Sequence, residues 1–309
     1  MRVLSAAPLG WYAPLWQPWL RHALTAVAVA SLCAYIGWVP VDPGTDTMDY
    51  YLFNLVDPYS NDWGALHAYV YSPAYGQVLY PFTLLPFDVF FKITVAVNLA
   101  ALVFLVGPVW AVVALPVAHT EIVNSQIHLL LASAAVLMVR HPAAWAFMPL
   151  TKVTPGVTIL WYVGRREWRN LGVAIGVTGL IVAVSATIWP TAWIEWLRLL
   201  SESSTRHVAN YTFSEWPAIF RLPIGAGLVW IAARRNRPAA LPVIVLFVLP
   251  SIWVGAMVML LAVPRMLALG PRVGAASPWS GGFPRPRKLR RSRAPAASIG
   301  QPLVDRSQA

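Results

Sequence analysis

One cysteine, only twelve acidic residues, and no glycine loop of the P-loop or Rossmann type define what this sequence does without. Cys33 lies alone in an apolar run, which excludes an intrachain disulfide and a thiolate metal cluster and leaves it as a small apolar side chain. The missing phosphate-binding loops leave a nucleotide-driven pump or a nucleotide-cofactor enzyme without support. No fixed-period repeat marks a solenoid. Charged residues make up 11% of the 309 positions against 58% hydrophobic. With a mean hydropathy of +0.59, that is too little polar surface to cover a soluble globule of this size.

The composition therefore specifies an all-α polytopic membrane protein, with one hydrophobic domain as the default. Spans are expected over about 23–39, 171–189 and 222–233, near the roughly 20 residues that cross a hydrocarbon core. Residues 88–115, interrupted at Gly107 and Pro108, are expected to return inward and then turn out again. Residues 238–269 read as one long span or a tight pair broken at Pro250 and Ser251. Between Arg140 and the cluster Arg165, Arg166 and Arg169, both flanks are basic, so the apolar stretch between them is expected to dip in and return, with Lys152 at the turn. A single span that breaks the charge rule is the alternative. The total comes to about 7–9 transmembrane or re-entrant helices. The N-terminus, with Arg2 and a Trp- and Pro-rich run, reads as an interfacial approach to an uncleaved first helix.

The positive charge is concentrated at the other end. Of the 23 Lys and Arg behind the net +11, nine fall between Arg265 and Arg306. Residues 270–309 accordingly read as a disordered basic cytoplasmic tail beside anionic membrane lipids, not a nucleic-acid face. Residues 41–87 are the opposite case. They hold Asp42, Asp46, Asp49, Asp57 and Asp62, no Glu, Lys or Arg, and interleaved aromatic residues. Basic loops are retained in the cytoplasm, so this segment is expected to be an external loop.

Asp46 and Asp49 sit just past the first span, walled by aromatic rings, where a carboxylate can take a proton from a hydroxyl arriving from water. They can equally be ordinary loop acids, or an N-cap for a helix starting near Met48. Lys152 is an ionisable group in the membrane part of the chain, suited to an anionic phosphate, or to snorkelling at the headgroups. Gln126 and His128 can bond a polar substrate or act as interhelical glue. The loop tyrosines suit either sugar stacking or an interfacial aromatic belt. No metal site stands out.

In order along the chain, Gly44, Asp46, Tyr50 and Tyr51 form a GxDxxxYY-like segment, and Tyr69, Tyr71, Ser72 and Pro73 a YxYSP-like one. Ser125, Gln126, Ile127 and His128 stand at a GQxN-like helix start, and Lys152, Thr154 and Pro155 form a KxTP-like signature before the basic GRREWR. This series resembles the polyprenol-phosphate-mannose-dependent α-mannosyltransferases of the C-type glycosyltransferase superfold (GT-C), which serve actinobacterial cell-envelope synthesis. The resemblance covers most of residues 23–265. It implies a GT-C-like multi-span domain over 1–269 in the cell (plasma) membrane, with N-terminus and tail cytoplasmic. It also implies an inverting hexosyltransferase that moves mannose from a polyprenyl-phosphate sugar to an envelope glycolipid or glycan acceptor. The lipid-linked sugar is then a substrate, and no cofactor is expected.

By the same resemblance Asp46 is the catalytic acid position, with Asp49 supporting it. Lys152, His128 and Gln126 bind the donor phosphate, and Tyr50, Tyr51 and Tyr71 the substrate. The sequence departs from the pattern at Ser125 and His128, where the motif has Gly and Asn, and at Gly255, where an SPxSWxH-like segment has His. Further membrane helices, usual in that family, are replaced after Leu269 by the basic tail, so the chain is expected to be shortened at its C-terminus. The alternatives are a transporter or flippase of lipid-linked sugars, or a noncatalytic membrane subunit.

Overall fold

The computed structural model describes residues 18–42, 45–53, 57–61, 68–203 and 218–273. Gly44, the N-terminal approach, residues 204–217 and the basic tail beyond 273 lie outside the described residues. Those that are described form helices and turns, with no strand among them.

Helix α1 (Pro18–Trp38) fully buries only Ala28 and Leu32, packs Tyr35 and Ile36 against the core, and leaves Trp19, Val27, Val29 and Trp38 exposed. At 21 residues it is about 30 Å long, enough to cross a bilayer. Helices α2 (Thr45–Tyr51) and α3 (Pro73–Thr83) are short and precede the second long apolar helix, α4 (Phe87–Val106). There Phe90, Phe91, Val95, Leu99 and Leu102 turn into the core. Gly107 adopts φ 86, a conformation that favours glycine, and Pro108 opens α5 (Pro108–Val123), so one apolar run becomes two packed helices.

A bend of 112° then separates α5 from α6 (His128–Met138). The polar residues Glu121, Asn124, Gln126 and His128 are thereby divided: Glu121 lies in the last turn of α5, and His128 begins α6. Helix α6 is buried on nearly every side and packs on α4 and on the 3-10 segment Val254–Ala262.

The expected dip between the two basic flanks is a chain of short pieces. A 3-10 turn (Pro142–Ala146) leads to α7 (Phe147–Thr151), Lys152 is extended, and a second 3-10 turn (Thr154–Ile159) leads to α8 (Leu160–Arg165). Proline explains the breaks, because Pro149 and Pro155 lack the N–H that a continuous helix needs. Helix α9 (Trp168–Ile188) is the third long apolar helix, and α10 (Pro190–Ser203) follows with the strongly amphipathic pattern of a surface helix.

Helix α11 (Ala218–Arg234) packs closely on α8, where a Cβ on Gly164 would come within 2.8 Å of Ala233 Cβ. Helix α12 (Leu241–Val248) and α13 (Val263–Val273) flank the break expected near Pro250. Arg221, 1% exposed, holds that break by donating to Phe247 O at 2.7 Å and Pro250 O at 2.9 Å. Arg221→Met leaves both carbonyls without these donors and is expected to cost about 2–3 kcal/mol. A fall in thermal midpoint of the protein in lipid nanodiscs checks it.

Among the described residues three helices, α1, α4 and α9, are long and apolar enough to cross a membrane, and the bent pair α5/α6 brings the number to four if it counts as one span. Proline and glycine cut the remaining apolar runs into pieces too short to cross alone. The protein is an all-α polytopic membrane protein.

Candidate functional site

The break between α5 and α6 is where the site begins. Ser125 takes the left-handed conformation there (φ 53), which costs a side-chain-bearing residue and suits glycine, the residue the motif carries. Its hydroxyl is well supported. Ser125 Oγ lies 2.7 Å from Thr47 Oγ1 and 2.6 Å from Thr94 Oγ1, and Thr47 Oγ1 is also 3.1 Å from Val123 O. These bonds pin α2 across the break.

Asp46 occupies the first turn of α2, inside the helix and not at a cap near Met48. Gln126, the residue after Ser125, donates its side-chain amide to Asp46 Oδ2. The carboxylate is therefore oriented by the very break that Ser125 makes. Asp49 lies one turn further along α2, partly buried.

A second line of polar groups runs through α6. His128 Nδ1 lies 3.0 Å from Glu121 Oε2, and His128 Nε2 lies 3.3 Å from Lys152 Nζ. Lys152 ends α7 in an extended conformation between the two prolines. Gln126 and His128 stand two residues apart at the break before α6, so the group that bonds Asp46 and the group that bonds Lys152 come from one short stretch of chain. Asp46, Gln126, His128 and Lys152, separate along the sequence, are brought together here.

The YxYSP-like segment clamps this arrangement from the other side. Ser72 Oγ donates to Leu150 O at 2.5 Å, two residues before Lys152, and accepts from Tyr75 N as the N-cap of α3. Tyr69 Oη donates to Ser72 O at 3.0 Å, and Tyr59 Oη to Tyr71 O at 2.7 Å. Tyr50 and Tyr71 are buried, with Tyr50 Oη donating to Tyr71 Oη at 2.9 Å. Burial lifts both phenols well above their ordinary pKa, and the nearby Asp46 charge lifts them further, so they stay neutral donors. Tyr51 packs on Phe87 and Phe90, and its hydroxyl donates to Leu85 O at 3.1 Å. Tyr50 and Tyr71 thus stand inside one aromatic cluster near Asp46, and Tyr51 packs against the start of α4.

Glu121, Thr47, Ser125 and Ser72 are not among the site residues expected from sequence. Glu121 carries a signal nonetheless, as an acid within a long apolar run with a histidine seven residues later. Ser72 and Ser125 stand in the motif segments without a role assigned to their hydroxyls, and Thr47, bonded to Ser125 far away in sequence, has no local signal.

Gly255 also belongs to this neighbourhood. A Cβ at that position would collide with Glu121 Oε1 and with the ring of Trp253. Gly255→Ala is expected to destabilise the protein by about 1–3 kcal/mol, as overpacking does, and to disturb Glu121. A lowered thermal midpoint together with reduced activity checks this.

Broken helices that gather a carboxylate, an amide, an imidazole and an ammonium define a polytopic membrane protein with an ionisable site at the breaks of its apolar helices. The chain belongs to glycosyltransferase family 87, whose description matches residues 69–277. The match includes Gln126, His128, Lys152 and Gly255 and begins beyond Asp46. No curated protein and no solved structure matches the chain. It is a membrane glycosyltransferase.

Proposed function

We propose that the protein moves a hexose, mannose by the resemblance of its motifs, from a polyprenyl-phosphate donor to an envelope glycolipid or glycan at the external face, with inversion. The observation that supports this reading most is that Gln126 and His128, two residues apart at the break before α6, bond Asp46 and Lys152 respectively. In the proposed step Asp46 takes the proton of an acceptor hydroxyl while that oxygen forms a bond to the anomeric carbon. The bond from that carbon to the phosphate oxygen breaks on the opposite face of the ring, and polyprenyl phosphate leaves. Inverting glycosidases separate base and leaving group across the sugar by the same logic. Lys152 meets the charge that grows on the departing phosphate, in a site where water is scarce and such charge matters most. His128 holds Lys152, and Gln126 holds Asp46. The lipid-linked sugar is substrate, and this scheme needs no separate cofactor.

Family membership favours transfer over the carrier reading. Topology follows from charge: residues 41–87 have no Lys or Arg, whereas Arg165, Arg166, Arg234 and Arg235 cluster where Arg165 donates to Asn236 at 2.5 Å. On the positive-inside rule the first segment is external and the second cytoplasmic, as are the N-terminus and tail of a plasma-membrane protein. The test is donor choice in proteoliposomes. Labelled mannose is expected to pass to envelope glycolipid acceptors from polyprenyl phosphoryl mannose and not from a nucleotide sugar. Transfer from the nucleotide sugar alone, or movement of the lipid-linked sugar without transfer, defeats the reading.

A further inference from the structure

Glu121 is fully buried near the end of α5, one bond behind the groups assigned to the donor phosphate. Its Oε2 meets His128 Nδ1, and its Oε1 makes no hydrogen bond among the described residues. Oε1 lies instead against Gly255, in the space a side chain at 255 would fill, and the Trp253 ring there also flanks the His128 ring at 6.2 Å. A buried carboxylate given room by a glycine and tied to one imidazole is costly to keep without a task.

With Lys152 as an ammonium, the hydrogen-bonding inventory assigns the imidazole its role. A lysine ammonium donates and never accepts, so His128 Nε2, 3.3 Å from Lys152 Nζ, must present a lone pair. A neutral imidazole then carries its proton on Nδ1, where it faces the Glu121 oxygen at 3.0 Å. Carboxylate, imidazole and ammonium form one polarised chain running from α5 through α6 to the break after α7. Without the acceptor at Glu121 the proton is free to move to Nε2, where it would point at the ammonium.

We propose that Glu121 is a positioning residue for the phosphate end of the site. Acting through His128, it fixes the imidazole as an acceptor and holds the Lys152 ammonium with its other N–H groups left for the donor phosphate. This rests on the lipid-phosphate donor proposed above. The same linkage of carboxylate, imidazole and cationic centre orients metal-bound histidines, where loss of the outer partner costs about 10–100-fold.

The experiment pairs Glu121→Leu, which removes the acceptor, with Glu121→Gln, whose amide oxygen can still receive the Nδ1 proton. Nitrogen-15 NMR of histidine-labelled protein in lipid, with the His128 signal identified by its loss in His128→Asn, reads the tautomer. Kinetics with polyprenyl phosphoryl mannose read donor KM and kcat separately. Wild-type protein is expected to show the Nδ1–H form. Glu121→Leu loses it and raises donor KM about tenfold with a smaller change in kcat, and Glu121→Gln restores the tautomer and most of the affinity. An Nε2–H form in the wild type overturns the proposal even if Glu121→Leu fails to fold. So does a Glu121→Leu protein that keeps the Nδ1–H form and a donor KM within about twofold of wild type. If the wild type uses no lipid-linked donor, the function reading fails, while the NMR comparison still decides whether Glu121 sets the tautomer.

Discussion

Asp46→Asn is expected to lower sugar transfer in proteoliposomes by about 10²–10⁴-fold, the range that a general base contributes, with protein yield and thermal midpoint unchanged. The substitution is informative because asparagine keeps the shape of aspartate and retains an oxygen able to accept from Gln126, the bond that orients the carboxylate. Only the ability to take a proton is removed. A residue that merely braces α2 against the α5–α6 break would tolerate the change, since Thr47, Ser125 and Thr94 supply that bracing separately. Asp49→Asn, one turn further along α2, is the matched control and is expected to have a smaller effect. The check is the initial rate of labelled product formation at saturating donor and acceptor, normalised to folded protein.

Lys152→Met is expected to reduce transfer by about 10²–10³-fold, the loss seen when one group that stabilises developing negative charge is removed. Methionine preserves length and apolar volume, so the pieces on either side of the break keep their packing while the ammonium disappears. The charge is needed most as the carbon–oxygen bond to phosphate breaks, so kcat falls, and donor KM rises because the ground-state phosphate is bound by the same group. Lys152→Arg is expected to recover only part of the activity. It restores positive charge, but its broad planar fork replaces a compact ammonium seated against the His128 ring nitrogen. Steady-state kinetics on the three proteins check the order wild type, Lys152→Arg, Lys152→Met.

How far the sequence alone discloses this arrangement differs from residue to residue. The long apolar helices α1 and α9 announce themselves, because a run of apolar residues long enough to cross a membrane has few other uses. The division at Gly107 and Pro108, and the broken stretch around Lys152, are legible from glycine and proline chemistry. The 112° bend at Ser125 is not, since serine gives no hint of a left-handed conformation and only its distant partners Thr47 and Thr94 make it tolerable. For the same reason the pairing of Glu121 with His128 across the bend stays hidden in the sequence. Asp46 and Lys152 are each visible as an out-of-place charge. That Gln126 bonds the one and His128 the other depends on tertiary geometry that no spacing along the chain encodes.

Gly255 shows the same limit from another side. As a departure from a motif it reads only as a missing histidine, whereas in the structure it is the space beside Glu121 Oε1. Two departures, His128 and Gly255, thus meet at one carboxylate.

The most direct measurement is a cryo-EM structure of the protein in a nanodisc with a non-transferable polyprenyl phosphoryl mannose analogue. The phosphate is expected within hydrogen-bond reach of Lys152 Nζ, with the mannose between it and Asp46 and the carboxylate on the face of the anomeric carbon away from phosphate. An analogue bound elsewhere, with Lys152 still on His128 and Asp46 still on Gln126, contradicts the assignment of this site to sugar transfer.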